Sequence, residues 1–223
     1  MEPYKLSVYI HVALTLIAFA AGSIALVTQP KGNKTHRKAG MLYFVTFLAA
    51  GLTGFFMLFL KYKALLLGVT IVNLYLCITG FKAVRYKGAP PGWVDWLMLV
   101  VLGGSGVLLL SDGLRIYNGL FGSDFGWVCV RFFYIFLIAY TLISDMRYFI
   151  QKTDRKRLWL PRHIEKMLIS FIALLTGVIL RGIGDLDFFA ARDLKWIFWI
   201  IAYILCLPFV FFWVRRYSIR QPK

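Results

Sequence analysis

The sequence predicts an all-α protein: a polytopic transmembrane helix bundle of seven spans, with the N-terminus outside and the C-terminus cytoplasmic. Three observations carry this. Of 223 residues, 60% are hydrophobic and 16% charged, against roughly 45–50% apolar and about 25% charged in a soluble domain. The apolar residues gather into seven runs, each near the roughly 20 residues a helix needs to cross hydrocarbon. Lys and Arg outnumber Asp and Glu by 26 to 10 and sit mostly in the gaps between runs. Basic excess distributed that way reads as membrane orientation rather than as a nucleic-acid surface.

The spans are expected at about 6–28, 38–60, 64–84, 94–111, 127–150, 162–181 and 194–215, forming a single integral membrane domain over 1–223. The first contains Ala18-Phe19-Ala20, which mimics a signal-peptidase site. Its apolar run continues to Val27, and its leading segment balances Lys5 against Glu2, so it is read as an uncleaved span. Seven spans then place 17 basic residues on one side and 7 on the other, with Arg131 and Lys166 left inside spans. The basic side is expected to be cytoplasmic.

Belt residues agree: Tyr4, Tyr62, Trp127 and Trp196 end spans on one side, and Trp93, Trp96, Tyr148, Trp159 and Tyr217 on the other. The connection 112–126, with four glycines, reads as an outer loop. The basic stretch 151–161 reads as an inner loop facing lipid headgroups. Asn33-Lys34-Thr35 matches a glycosylation sequon but falls on the expected cytoplasmic side. Pro208 should kink the last span. Cys77, Cys129 and Cys206 lie inside apolar runs without C-x-x-C spacing and read as small hydrophobes.

Ionisable residues inside spans are costly and mark candidate sites. Counting along the second span, His36, Gly40, Tyr43, Phe47, Gly51 and Gly54 share one face; its glycines favour close helix approach, so the face should look inward. Along the sixth, His163 leads Met167, Ser170, Leu174, Gly177 and Arg181. Two imidazoles entering from one side on parallel spans could hold a b-type haem. With Asp95 or Asp145 they could instead hold a transition metal such as iron or zinc. His36 and His163 are thus the candidate cofactor and metal ligands, with Tyr43, Asp145 and Asp95 around them.

A second, outer polar set is His11, Arg131 and Arg181, with Asp112, Asp185 and Asp187 nearby. Arg131 and Asp145 share a face of the fifth span, and Arg131 requires a carboxylate, a carbonyl or an anion. That set suits a transporter or a small-molecule-binding protein. A structural or partner-binding subunit, with its histidines at the interface, is the third reading. No H-E-x-x-H, G-x-S-x-G or Walker loop marks an enzyme. Gly103-Gly104-Ser105-Gly106 lies mid-span and reads as helix packing. The expected surroundings are a lipid bilayer and no nucleic acid; a homo-oligomer or membrane partner is left open.

One resemblance follows from these residues. His11, then His36-Arg37-x-x-Gly40-x-x-Tyr43 opening the second span, Tyr75-x-x-x-Thr79-Gly80-Phe81-Lys82-Ala83, Asp95-Trp96, and His163-x-x-x-Met167 with Arg181 resemble an uncharacterised bacterial family of multi-pass membrane proteins. The resemblance covers roughly residues 8–181. The family is labelled a domain of unknown function, so what it implies is architecture, a bacterial cytoplasmic membrane, and His11, His36 and His163 as positions to test. A looser similarity to membrane b-type cytochromes motivates the haem reading by analogy.

Overall fold

The computed structural model describes residues 2–119, 125–151, 155–182 and 194–219. Among them are seven helices and no strand: α1 (Pro3–Val27), α2 (Lys34–Leu60), α3 (Ala64–Arg85), α4 (Trp93–Gly119), α5 (Phe125–Ile150), α6 (Arg155–Gly182) and α7 (Lys195–Ile219). All seven are long and apolar enough to cross a membrane. The backbone groups of such a span have no water to bond, so the i→i−4 ladder must satisfy them internally.

Two element ends differ from expectation. The fourth span runs on to Gly119, so much of the connection expected at 112–126 is helix. Gly113 lies inside it, and a Cβ there would sit 3.6 Å from Cβ and Cδ of Arg131 on α5. A small residue at that point brings the two helices together; it does not break α4. The sixth helix starts at Arg155, so most of the basic stretch 151–161 is helical and Pro161 lies inside α6. The basic residues there are good helix formers. Pro208 likewise sits inside a continuous α7.

Chain packing divides the protein into two compact units, 1–63 and 64–223. The first is the pair α1 and α2. Small residues on α1 are buried (Ala18, Ala21, Gly22), as are Ala39, Tyr43, Phe47, Ala50 and Gly54 on α2. The inward stripe expected from Tyr43 to Gly54 is therefore present. Asn33, the sequon residue, is the N-cap of α2: its side chain accepts the His36 backbone N–H at 2.8 Å, satisfying one of the helix's orphan donors.

In the second unit α3 packs on α4 and α6, α4 on α5, and α7 on α6 and α5. Its core includes Val72, Leu76, Leu102, Leu109, Val130, Ile138 and Ile169. Phe133, Tyr134, Trp199 and Tyr203 form an edge-to-face aromatic group joining α5 to α7, a geometry favoured by the ring quadrupole. At Gly80 a Cβ would lie 3.1 Å from Lys166 Cβ and 2.9 Å from Met167 Sδ. The bare backbone of α3 there lets α6 come close. At Gly106 a Cβ would meet Ile138 Cγ2 at 3.1 Å, the tight packing expected of the mid-span glycines; at Gly104 nothing approaches.

Candidate functional site

The close approach at Gly80 brings α6 against α3 where four polar side chains of α3, α5 and α6 meet. Asp145 on α5 has no exposed surface, and Lys166 on α6 is 2% exposed. Lys166 Nζ lies 2.9 Å from Asp145 Oδ1 and 3.0 Å from Oδ2. One turn earlier on α6, Arg162 sets a guanidinium nitrogen 2.9 Å from Oδ1. From α3, the Tyr75 hydroxyl donates to Oδ2 at 2.5 Å. One buried carboxylate of α5 is thus held by two cations of α6 and a phenol of α3.

A second carboxylate lies on the same turn of α6. Glu165 Oε1 accepts from the Tyr140 hydroxyl at 2.6 Å. Tyr140 and Asp145 are both on α5, Arg162, Glu165 and Lys166 on α6. The cluster holds two acids and two bases, which limits the cost of burying four charges in a low-dielectric interior. Arg162 also stacks over the Tyr148 ring, 3.8 Å from its centroid. Nearer the basic end of the same helices, Lys82 bonds Asp95 Oδ1, and Asp95 Oδ2 accepts the Gly92 N–H at 2.8 Å, closing the first turn of α4.

Counting from His163 caught part of the buried face of α6: Ser170 and Leu174 are buried. Also buried are Arg162, Glu165, Lys166, Ile169, Ile172 and Thr176; His163 and Met167 lie half-buried and Gly177 is exposed. Asp145 is at the centre of the cluster and Asp95 at its edge, both engaged by cations. Lys166, which binds Asp145, was passed over as one of two basic residues left inside spans. The available signal was its sign: a lysine and an aspartate both within apolar runs need one another.

The histidines have a common arrangement. His36 Nδ1 lies 2.9 Å from the Ala25 carbonyl within the first unit, and His163 Nδ1 lies 2.9 Å from the Gly80 carbonyl within the second. His11 Nδ1 lies 2.9 Å from the Ala50 carbonyl and 3.0 Å from Thr53 Oγ1. A carbonyl only accepts, so in each ring Nδ1 carries the proton. Tyr43 is buried and packs on Phe47. Among the described residues no three His, Cys, Asp or Glu side chains gather as a metal-binding group.

Of the outer set, Arg131 finds the carboxylate it requires. Its Nε donates to Asp112 Oδ2 at 2.7 Å and a terminal nitrogen to the Trp127 carbonyl at 2.9 Å. Arg181 belongs to α6, but its side chain, with Asp185 and Asp187, lies outside the described residues.

Seven membrane-length helices make this a multi-pass integral membrane protein. Residues 8–98 match the family model described as "Predicted membrane protein (DUF2306)". That stretch includes His11, His36, Tyr43, Tyr75, Gly80 and Asp95, and it ends before α5 and α6. No curated protein and no solved structure matches the chain.

Proposed function

We propose that this membrane protein binds and carries a small anionic solute together with a proton, using the cluster around Asp145. The observation carrying this is the fully buried Asp145 carboxylate shared by Lys166 and Arg162. Well-packed apolar side chains of similar volume would join α3, α5 and α6 without the desolvation cost. A charged cluster kept at such a place is a functional site by default. Protonation of Asp145 removes the anion that both cations hold. A solute carboxylate or phosphate oxygen can then take its place on Arg162, whose planar fork suits such groups. Tyr75 bonds Asp145 and Tyr140 bonds Glu165, so each carboxylate has a phenol that can exchange a proton with it.

Purified protein in vesicles loaded with a pH-sensitive dye tests this, with succinate as the first probe among a panel of carboxylates and phosphate esters. An imposed gradient of a carried solute moves protons in the wild type. Asp145→Asn and Lys166→Met abolish the movement. Flux absent for the whole panel, or equal in wild type and variants, overturns the reading.

A second reading keeps the histidines as ligands of a b-type haem or a transition metal. Its support is the shared ring arrangement: with Nδ1–H given to a carbonyl, Nε2 keeps its lone pair, the tautomer of a metal-bound imidazole. His36 or His163, each within its own unit, would be a ligand, and bound haem would supply electron transfer. Asp95 and Asp145 are engaged by Lys82, Lys166 and Arg162, which makes them poor metal ligands. Detergent-purified protein without Soret absorbance and without stoichiometric metal ends this reading.

A further inference from the structure

At the end of the second unit that carries the start of α6, the turn bearing Lys87 packs against the helix start bearing Arg155 and Lys156. The turn after α3 brings Gly88 so close to α6 that a Cβ on it would lie 2.9 Å from the backbone N and Cα of Lys156. Gly88 also holds φ at +84°, which favours glycine. Beside it, Lys87 sets its ammonium 4.8 Å from the centroid of the Trp159 ring. One residue before Lys156, Arg155 donates from one terminal nitrogen to the Phe149 carbonyl at 2.9 Å and lies over the Tyr148 ring. The buried Nε of Arg155 has no hydrogen-bond partner. An unfilled buried donor costs free energy until an acceptor reaches it.

Among the described residues no carboxylate pairs with Lys87, Arg155 or Lys156. We propose that Lys87, Arg155 and Lys156 form a binding site for the phosphodiester headgroup of an anionic phospholipid. A small rotation of the Arg155 side chain presents its Nε and free terminal nitrogen as a fork to two phosphate oxygens. The two lysines neutralise the remaining charge. The surroundings favour a lipid over a soluble ion. Lys87 sits on Trp159 and Arg155 on Tyr148, and the neighbouring Tyr86 and Trp93 are exposed; amphipathic rings of this kind occupy the headgroup level of a bilayer. A phosphate arriving there is one attached to acyl chains.

Native mass spectrometry of the detergent-purified chain, with phosphatidylglycerol or phosphatidylcholine added, tests the site. The wild type retains phosphatidylglycerol in preference. A Lys87→Gln/Lys156→Gln double variant weakens that retention roughly thirtyfold, the weight of two basic side chains at an anionic surface. Arg155→Gln weakens it further. An Arg37→Gln/Lys38→Gln pair on α2 leaves it unchanged. Both lysines and both control residues are exposed, so the two double variants should fold alike. Equal loss in the two double variants would reduce the effect to general surface charge and overturn the site. Release of the lipid from wild type by inorganic phosphate at comparable concentration would assign the site to a soluble anion and overturn the lipid.

Discussion

Lys166 Nζ touches both oxygens of Asp145, at 2.9 and 3.0 Å, across the α5–α6 contact. Each residue makes the other tolerable in an apolar interior. Removing one partner leaves an unbalanced buried charge, at a cost of about 3–5 kcal/mol. Asp145→Leu and Lys166→Met should each unfold in detergent at clearly lower temperature than wild type. The double variant should recover most of the loss, because both desolvation costs disappear together. Thermal unfolding of the four proteins measures this. A double variant no more stable than the worse single would mean that Arg162 and Tyr75, not the pair, set the energetics.

Gly80 is what permits that pair. The Cβ of an alanine there would meet Lys166 Cβ at 3.1 Å and Met167 Sδ at 2.9 Å. Met167 can swing away, but the Lys166 Cβ is fixed to the α6 backbone. Gly80→Ala should destabilise by about 1–3 kcal/mol, the usual range for overpacking. Gly80→Leu should cost more and should also disturb the His163 bond to the Gly80 carbonyl. Met167→Ala in the Gly80→Ala background should restore part of the stability. Absence of any rescue would show that the obstruction lies at the Lys166 backbone.

Seven apolar runs were legible because a bilayer imposes one length and one composition on every span. Helix ends were less so. Arg155 to Pro161 has the composition of a solvated loop, yet the chain is helical there, and Arg155 lies over Tyr148 while Trp159 takes Lys87 from the turn after α3. The inward face of α2 was readable from its stripe: Tyr43, Phe47 and Gly54 are buried, though nothing approaches Gly40. That of α6 was readable only in part: Ser170 and Leu174 on the stripe from His163 are buried, but His163 and Met167 are half-buried and the buried Lys166 was not on it. Asp145 could be named from sequence, but its partners could not. Tyr75 is 70 residues away along the chain, and no spacing rule joins α3 to α5.

Arg131 and Asp112 tie α5 to the part of α4 that composition alone assigns to a loop. The pair is partly exposed, with side-chain accessibilities of 12% and 25%, so it should be weaker than Lys166–Asp145. Asp112→Asn keeps the shape and removes the charge. It should cost about 1.5–3 kcal/mol, the range for a charge-assisted hydrogen bond. It should also raise amide exchange over 111–117 while leaving 95–105 unchanged. Exchange that does not respond would mean that Gly113 packing on Arg131 holds this end of α4 without the ion pair.

The charge asymmetry predicts which side each helix end faces, and labelling can test it. With Cys77, Cys129 and Cys206 replaced by Ala, single cysteines at Lys63 and Tyr117 report one side and at Lys38 and Lys87 the other. All four positions are exposed. With 17 basic residues on one side against 7 on the other, the 17-residue side should face the cytoplasm. A membrane-impermeant thiol reagent added to intact cells should therefore label Lys63→Cys and Tyr117→Cys. Lys38→Cys and Lys87→Cys should react only after permeabilisation. The reverse pattern would place the α6 start and its basic residues outside. A mixed pattern, with Lys38 and Lys87 on opposite sides, would mean that one of the seven helices does not span.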